Sequence, residues 1–184
     1  MLFIFYVLGD DAWAERNILF EESLYLLGAL LVGVGVIGRA WCFSYISGNK
    51  NIKLITSGPY SMCRNPLYLF GLIASLGAGF CTETITIPLT ILLAFSIYYP
   101  FQIRREEKEL LRRHGEDYEG YCRQVPSLLP SFSSFKEEEV AMVAPRAFRR
   151  GIMDLVFYIT MIGVLDYVET LHKINWLITY YKIY

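Results

Sequence analysis

The chain has 184 residues, of which 54% are hydrophobic, 16% aromatic and only 19% charged, with a formal net charge of −1. A soluble domain of this length usually carries about a quarter charged residues. Here the apolar excess is gathered into long runs, which points to one membrane domain, 1–184, with no nucleic-acid partner.

The first run, "MLFIFYVLG", lacks a basic start and is followed by Asp10, Asp11 and Glu15 in place of a small-residue cleavage site. It reads as a short membrane-associated segment, not a signal peptide. A long apolar span covers about 23–46 and is interrupted only by Arg39. Roughly 20 such residues cross a bilayer as a helix. Arg39, toward one end, can snorkel to the headgroups or line a site. Within this span "GVGVIG", Gly33 to Gly38, spells G-x-G-x-x-G. A dinucleotide fingerprint needs a preceding strand and an acid about 20 residues later, where this chain has Asn51 and Lys53. Close helix packing through small residues is the better reading, here and for "GLIASLGAG".

Two more spans follow at about 67–80 and 85–101, separated by "CTET". So short a break makes a tight antiparallel helical hairpin. Each arm is near the lower length limit, so tilt or kinks are expected, helped by Pro88 and Pro100. The stretch from Gln102 is charged, and Gly115 is placed as a helix stop. A fourth apolar helix, about 151–170, contains Asp154, Asp166 and Glu169. Spanning, lying in the interface and packing on the bundle all stay open for it. The fold class is an all-α integral membrane protein, a small multi-span helical bundle.

The four cysteines (Cys42, Cys63, Cys81 and Cys122) form no C-x-x-C pair, and His114 and His172 are far apart. Neither a disulfide framework nor a metal site is expected. Lysine and arginine concentrate in segments 47–65 and 102–150, whereas the N-terminal part and the hairpin tip are mostly acidic. By the positive-inside bias both basic segments face the cytoplasm.

The first basic segment ends in "GPYSMCRNPLYLFG", Gly58 to Gly71. Gly58-Pro59 sets a turn. Pro66 suits the first turn of a helix, with Asn65 as its N-cap. A helix N-terminus at the membrane surface favours an anion. Tyr60 and Tyr68 offer π faces to an adenine or a sulfonium, and Arg64 offers a planar cation to a carboxylate. In the second segment Glu106 and Glu107 point about 100° apart on a helix, so one can face the bundle while the other stays wet. Tyr118 and Tyr121 share a face if helical.

"LITSGPYSMCRNPLYLFG", followed about 40 residues later by "EEKELLRRHGEDYEGYCRQVPSLLP", resembles the isoprenylcysteine carboxyl methyltransferase family, in its bacterial-type, phospholipid methyltransferase-like branch. The likeness covers about Leu27 to Pro130. It implies a membrane enzyme that uses S-adenosylmethionine at the cytoplasmic face without a dinucleotide-binding sheet. On that likeness Gly58, Pro59, Tyr60, Asn65, Pro66, Tyr68, Glu106 and Glu107 fall on cofactor-binding positions. Arg64, Arg104, Tyr118 and Tyr121 become candidates for the acceptor's carboxylate or the transfer pocket. Two positions depart from the pattern. Asn65 replaces a histidine of the eukaryotic members, keeping a donor and an acceptor but no titration, and His114 replaces a phenylalanine.

Methyl transfer to carbon activated by sulfonium asks chiefly for alignment and exclusion of water. The expected acceptor is lipophilic or lipidated, enters from the bilayer, and bears a carboxylate. Phospholipid or other amine N-methylation, an NADPH-dependent membrane reductase and a non-catalytic scaffold remain the alternatives.

Overall fold

The computed structural model describes residues 9–11, 18–47, 53–139, 143–173 and 181–183. The apolar stretch at 1–8 and residues Glu15, Lys50 and Asn51 lie outside them. The described elements are β1 (Gly9–Asp11), α1 (Ile18–Ile46), α2 (Pro59–Met62), α3 (Pro66–Phe80), α4 (Thr86–His114), α5 (Glu116–Gln124), a 3-10 turn (Phe132–Ser134), α6 (Pro145–Lys173) and β2 (Tyr181–Ile183).

The bundle is helical as expected, with three differences. First, β1 pairs in parallel with β2, Gly9 opposite Tyr181. Three residues a side leave no alternation in the sequence to read. Second, the third span does not stop at Phe101: α4 runs unbroken for 29 residues from Thr86 to His114, through Pro100 and into the charged stretch. Alternating Arg and Glu are good helix formers, so the membrane boundary there is a change of surface and not of backbone. Third, α6 begins at Pro145 and absorbs Arg146, Arg149 and Arg150.

Among the described residues, three helices are long and apolar enough to cross a membrane: Ile18–Ile46, Thr86–His114 and Pro145–Val168. No more than 28% of the apolar stretch of any of them is buried within the protein. Leu26, Leu30, Ile37, Leu93, Ile97, Phe101, Phe157 and Ile159 all face outward. Exposed apolar surface on that scale calls for lipid around it. The chain is an integral membrane protein.

The residues group into two compact units. In the first (Met1–Gly35, Leu72–Ala94 and Val156–Tyr184), Cys81, Ile87, Leu165 and Val168 form the buried core. Gly28 and Gly77 let α1 and α3 touch backbone to backbone. A Cβ on Gly77 would come 2.6 Å from the Val32 nitrogen and 2.7 Å from the Gly28 carbonyl. Small residues there serve packing. The hairpin turn follows, with the Thr82 hydroxyl donating to the Gly79 carbonyl at 2.6 Å and Glu83 at φ 56°.

The second unit (Val36–Gly71 and Phe95–Leu155) holds every residue the sequence singles out for chemistry. Cys42, Tyr45 and Tyr60 form one buried cluster and Tyr118, Tyr121 and Val125 another. Gly33 and Gly38 lie inside α1, so the apparent dinucleotide motif is helix and not a strand-to-helix loop. Gly38 packs under the Phe70 ring, whereas a Cβ on Gly33 would meet nothing within 4 Å. Arg39 donates to the Leu67 carbonyl at 3.2 Å and lies over the Phe43 ring.

Candidate functional site

Gly58 has φ 58° and ψ −132°, a region open essentially to glycine. A Cβ there would also overlap the Tyr45 ring. Pro59 opens the single turn of α2. The Ser61 hydroxyl donates to the Gly58 carbonyl at 2.7 Å and accepts from the Lys136 N–H at 2.9 Å. The chain then reaches Arg64, Asn65 and the start of α3 at Pro66. The Asn65 carbonyl accepts from the N–H groups of Tyr68 and Leu69, while its side-chain nitrogen is committed elsewhere.

That commitment is to Glu107. The Asn65 amide donates to Glu107 Oε1 at 3.2 Å and to the Ser127 carbonyl at 3.0 Å. Both partners are acceptors, which fixes the amide with its nitrogen toward them. Arg64 donates to the same carboxylate oxygen through Nε at 3.0 Å and Nη2 at 3.0 Å. Its Nη1 meets the carbonyls of Cys122 at 3.1 Å and Val125 at 2.8 Å. The Ser127 hydroxyl adds a fourth donor group to Glu107 Oε1 at 3.1 Å. The two motifs, 42 residues apart at Asn65 and Glu107, therefore meet in one polar knot. Arg64 spends all three of its nitrogens inside the protein, which makes it a clamp that positions Asn65 and α5.

The adjacent acids divide as the helix geometry requires. Glu107 is half-buried in the knot, while Glu106 is exposed and faces the Tyr68 hydroxyl. Tyr118 and Tyr121 lie on one buried face of α5, with ring centroids 6.0 Å apart. The Tyr121 hydroxyl donates to the Tyr60 carbonyl at 2.6 Å, a second tie between the motifs. Burial pushes the phenols of Tyr60, Tyr118 and Tyr121 above their ordinary range, so all three stay protonated near neutral pH. The hydroxyls of Tyr60 and Tyr118 are buried without a hydrogen-bond partner among the described residues, an arrangement that normally costs free energy. Arg104 is exposed and borders a cavity beside Glu107 and Tyr118.

Sequence reasoning missed the strap at 126–138. Arg64 and Asn65 donate their backbone N–H groups to the carbonyls of Pro126 at 2.8 Å and Ser127 at 3.0 Å. Ser131 donates to Met62 at 2.9 Å, and Gly58 donates to Lys136 at 2.7 Å. Ser57 and Tyr45 reach the carboxylates of Glu138 and Glu137. The strap thus covers the first motif without an α-helix of its own, turning once at Phe132–Ser134. Its one available sequence signal was Pro126 and Pro130, which keep the backbone out of helix.

Among the described residues no group of three His, Cys, Asp or Glu side chains could hold a metal ion. A family model described as phospholipid methyltransferase matches residues 23–117. Two relatives are metal-resistance proteins. One of them, the nickel-cobalt-cadmium resistance protein NccN of Alcaligenes xylosoxydans xylosoxydans, is 37% identical over 171 residues, covering 93% of this chain and 77% of that protein. A methanethiol S-methyltransferase of Crocosphaera subtropica is 36% identical over 137 residues, 67% of this chain and 52% of that one. The protein-S-isoprenylcysteine O-methyltransferase of Schizosaccharomyces pombe is 30% identical over 107 residues, 56% and 45% of the two chains. No solved structure matches the chain.

Proposed function

The chain belongs to the phospholipid methyltransferase family, among its isoprenylcysteine methyltransferase-like members, and on that premise we propose that it is a membrane enzyme moving a methyl group from S-adenosylmethionine to a lipophilic acceptor. The observation that carries this reading is the convergence of Arg64, Asn65 and Ser127 on Glu107. It makes the two motifs of the sequence one site. The basic segments around that site argue for a cytoplasmic active site.

The residues fit the cofactor's chemistry. An amino group or sulfonium gains from an acid beside aromatic faces, which Glu106 and Tyr68 supply together. Tyr60 and Tyr118, both buried, would give the site rigid aromatic walls. Gly58, Pro59 and Pro66 would shape the backbone that receives it. When bound, S-adenosylmethionine supplies a methyl group already activated by its sulfonium. Glu107, Arg64 and Tyr121 act as positioning groups, holding α5 and the strap against the first motif so that the site is ordered and dry.

The acceptor follows from what these residues cannot do. Asn65 takes no proton, and the buried phenols hold theirs. Of the site's side chains only the carboxylates of Glu106 and Glu107 could take a proton, and an acceptor that is already a carboxylate needs no such help. The likeness to a methanethiol S-methyltransferase favours a thiolate as the second reading.

Calorimetric titration of the detergent-solubilised protein with S-adenosylhomocysteine tests the proposal. Micromolar binding is expected, with at least a tenfold loss in Glu106→Gln. No heat of binding in the intact protein overturns it. Labelled methyl transfer to a lipid extract then separates the acceptors. A carboxylate gives a rate flat above about pH 6, whereas a thiolate gives one rising through about pH 8–9.

A further inference from the structure

A cavity of about 470 Å³ opens in the second unit, within the size range of small-molecule sites. Its wall brings together Arg104 and Lys108 of α4 and Arg123 of α5. Arg104 and Lys108 are four residues apart on one helix. Like charges at that spacing destabilise a helix, so helix formation gives no reason for the pair. The acids of the same cavity do not cancel the three cations. Glu107 is already matched by Arg64 at 3.0 Å. Glu119 lies 3.8 Å from Arg123, a loose contact between side chains 56% and 80% exposed. Tyr118 lines the cavity as well, with its hydroxyl buried and without a hydrogen-bond partner among the described residues.

The depth of the cavity matters as much as its charge. Along α4 the outward-facing side chains Leu93, Ile97, Tyr98 and Phe101 give way to exposed Arg104, Arg105 and Lys108. Aromatic side chains gather where acyl chains meet headgroups. At 1.5 Å per residue, Arg104 and Lys108 lie about 5 and about 10 Å beyond Phe101 along the helix axis. With Tyr98 and Phe101 taken as the end of the apolar stretch, that offset would reach the lipid phosphates, where each basic residue gains attraction to anionic lipid.

We propose that this cavity binds a phosphate group carrying net negative charge, held by Arg104, Lys108 and Arg123, with the headgroup of an anionic lipid as its source. A soluble phosphate ester shares the chemistry but has no need of the apolar wall that leads up α4. The cavity borders the proposed methyl-transfer site through Arg104, Glu107 and Tyr118, whereas Lys108 and Arg123, which the test alters, have no part in that reading.

The test is native mass spectrometry of the full chain in neutral detergent, with short-chain phosphatidylglycerol, short-chain phosphatidylcholine and inorganic phosphate as probes. Phosphatidylglycerol is expected to bind at least tenfold more tightly than phosphatidylcholine, and millimolar inorganic phosphate to displace it. The double variant Lys108→Gln/Arg123→Gln should weaken phosphatidylglycerol binding about tenfold, whereas Lys108→Arg should keep it. The single variant Lys108→Gln, at an exposed helix position, should lose about threefold and guards against misfolding of the double. Inorganic phosphate binding without phosphatidylglycerol binding would assign the site to a soluble anion. Equal binding of the two lipids, or a double variant indistinguishable from the parent, overturns the proposal. S-adenosylhomocysteine affinity should be the same in parent and variants. Its absence throughout would strike the methyltransferase reading and leave the phosphate site standing.

Discussion

Glu107 and Glu109 lie two residues apart on α4, and each carboxylate meets arginine at about the same distance. Glu109 accepts from Arg112 Nε at 3.1 Å and Nη2 at 2.9 Å, and from Arg113 Nε at 2.7 Å. Its partners are three and four residues away on the same helix. Glu107 accepts from Arg64, 43 residues earlier, from Asn65 and from Ser127. The Glu109 group is open to solvent, the Arg112 side chain being 77% exposed. The Glu107 pair is 15% and 22% exposed. A local exposed pair steadies its own turn and little else. A non-local, half-buried one fixes the relative position of α4, α5, the strap and the first motif. Its loss leaves a guanidinium, an amide and a hydroxyl short of an acceptor.

The largest effect is therefore expected at the knot. Glu107→Ala should cost about 3 kcal/mol of stability, read as a drop in thermal midpoint in detergent, and Arg64→Ala about the same. Because the two side chains share one interaction, the double variant should cost well under the sum, with a coupling of about 1–3 kcal/mol. Additive costs would mean that the pair is incidental.

Next comes Gly58→Ala, expected to cost about 2 kcal/mol, from the positive φ and the overlap with the Tyr45 ring. A neutral result would show that the loop can relax away from the strap. Tyr121→Phe removes one buried hydrogen bond to the Tyr60 carbonyl and should cost about 1 kcal/mol. Both changes should weaken S-adenosylhomocysteine binding in proportion if the loop belongs to that site.

The contrast between the two acids also marks where the sequence was legible. Apolar runs, "CTET" and Gly115 placed the helices, the hairpin and the end of α4, because each rests on local periodicity or a turn residue. The i,i+4 contact of Glu109 with Arg113 was readable from spacing alone. So was the divergence of Glu106 from Glu107, since adjacent helical residues cannot point together. What the divergence served was not readable. Arg64 looked like a free cation for a substrate, because nothing near it in the chain could reach its donors. Its acceptors are a carboxylate from α4, the Cys122 carbonyl in the last turn of α5 and the Val125 carbonyl just past it. The strap was invisible for the same reason: its contacts are backbone hydrogen bonds across some 60–80 residues, and any residue type can make those.

The smallest expected effect belongs to Glu109, and its sign can be worked out. Hydrogen bonds from Arg112 and Arg113 hold its carboxyl at about 2, below the 4.5 it has without them. A depressed carboxyl adds stability that is present above about pH 4.5 and is lost as the pH falls toward 2. Glu109→Gln should thus leave the thermal midpoint at pH 7 within experimental scatter, because the groups reach solvent and are screened. Any difference that low salt reveals should shrink on acidification and vanish near pH 2. Added salt at pH 7 should erase it sooner, whereas the Glu107→Ala deficit should survive the same salt, since half-buried groups are poorly screened. Glu109→Gln as damaging as Glu107→Ala, or a salt response shared by both, would mean that burial and distance in sequence do not separate these two acids.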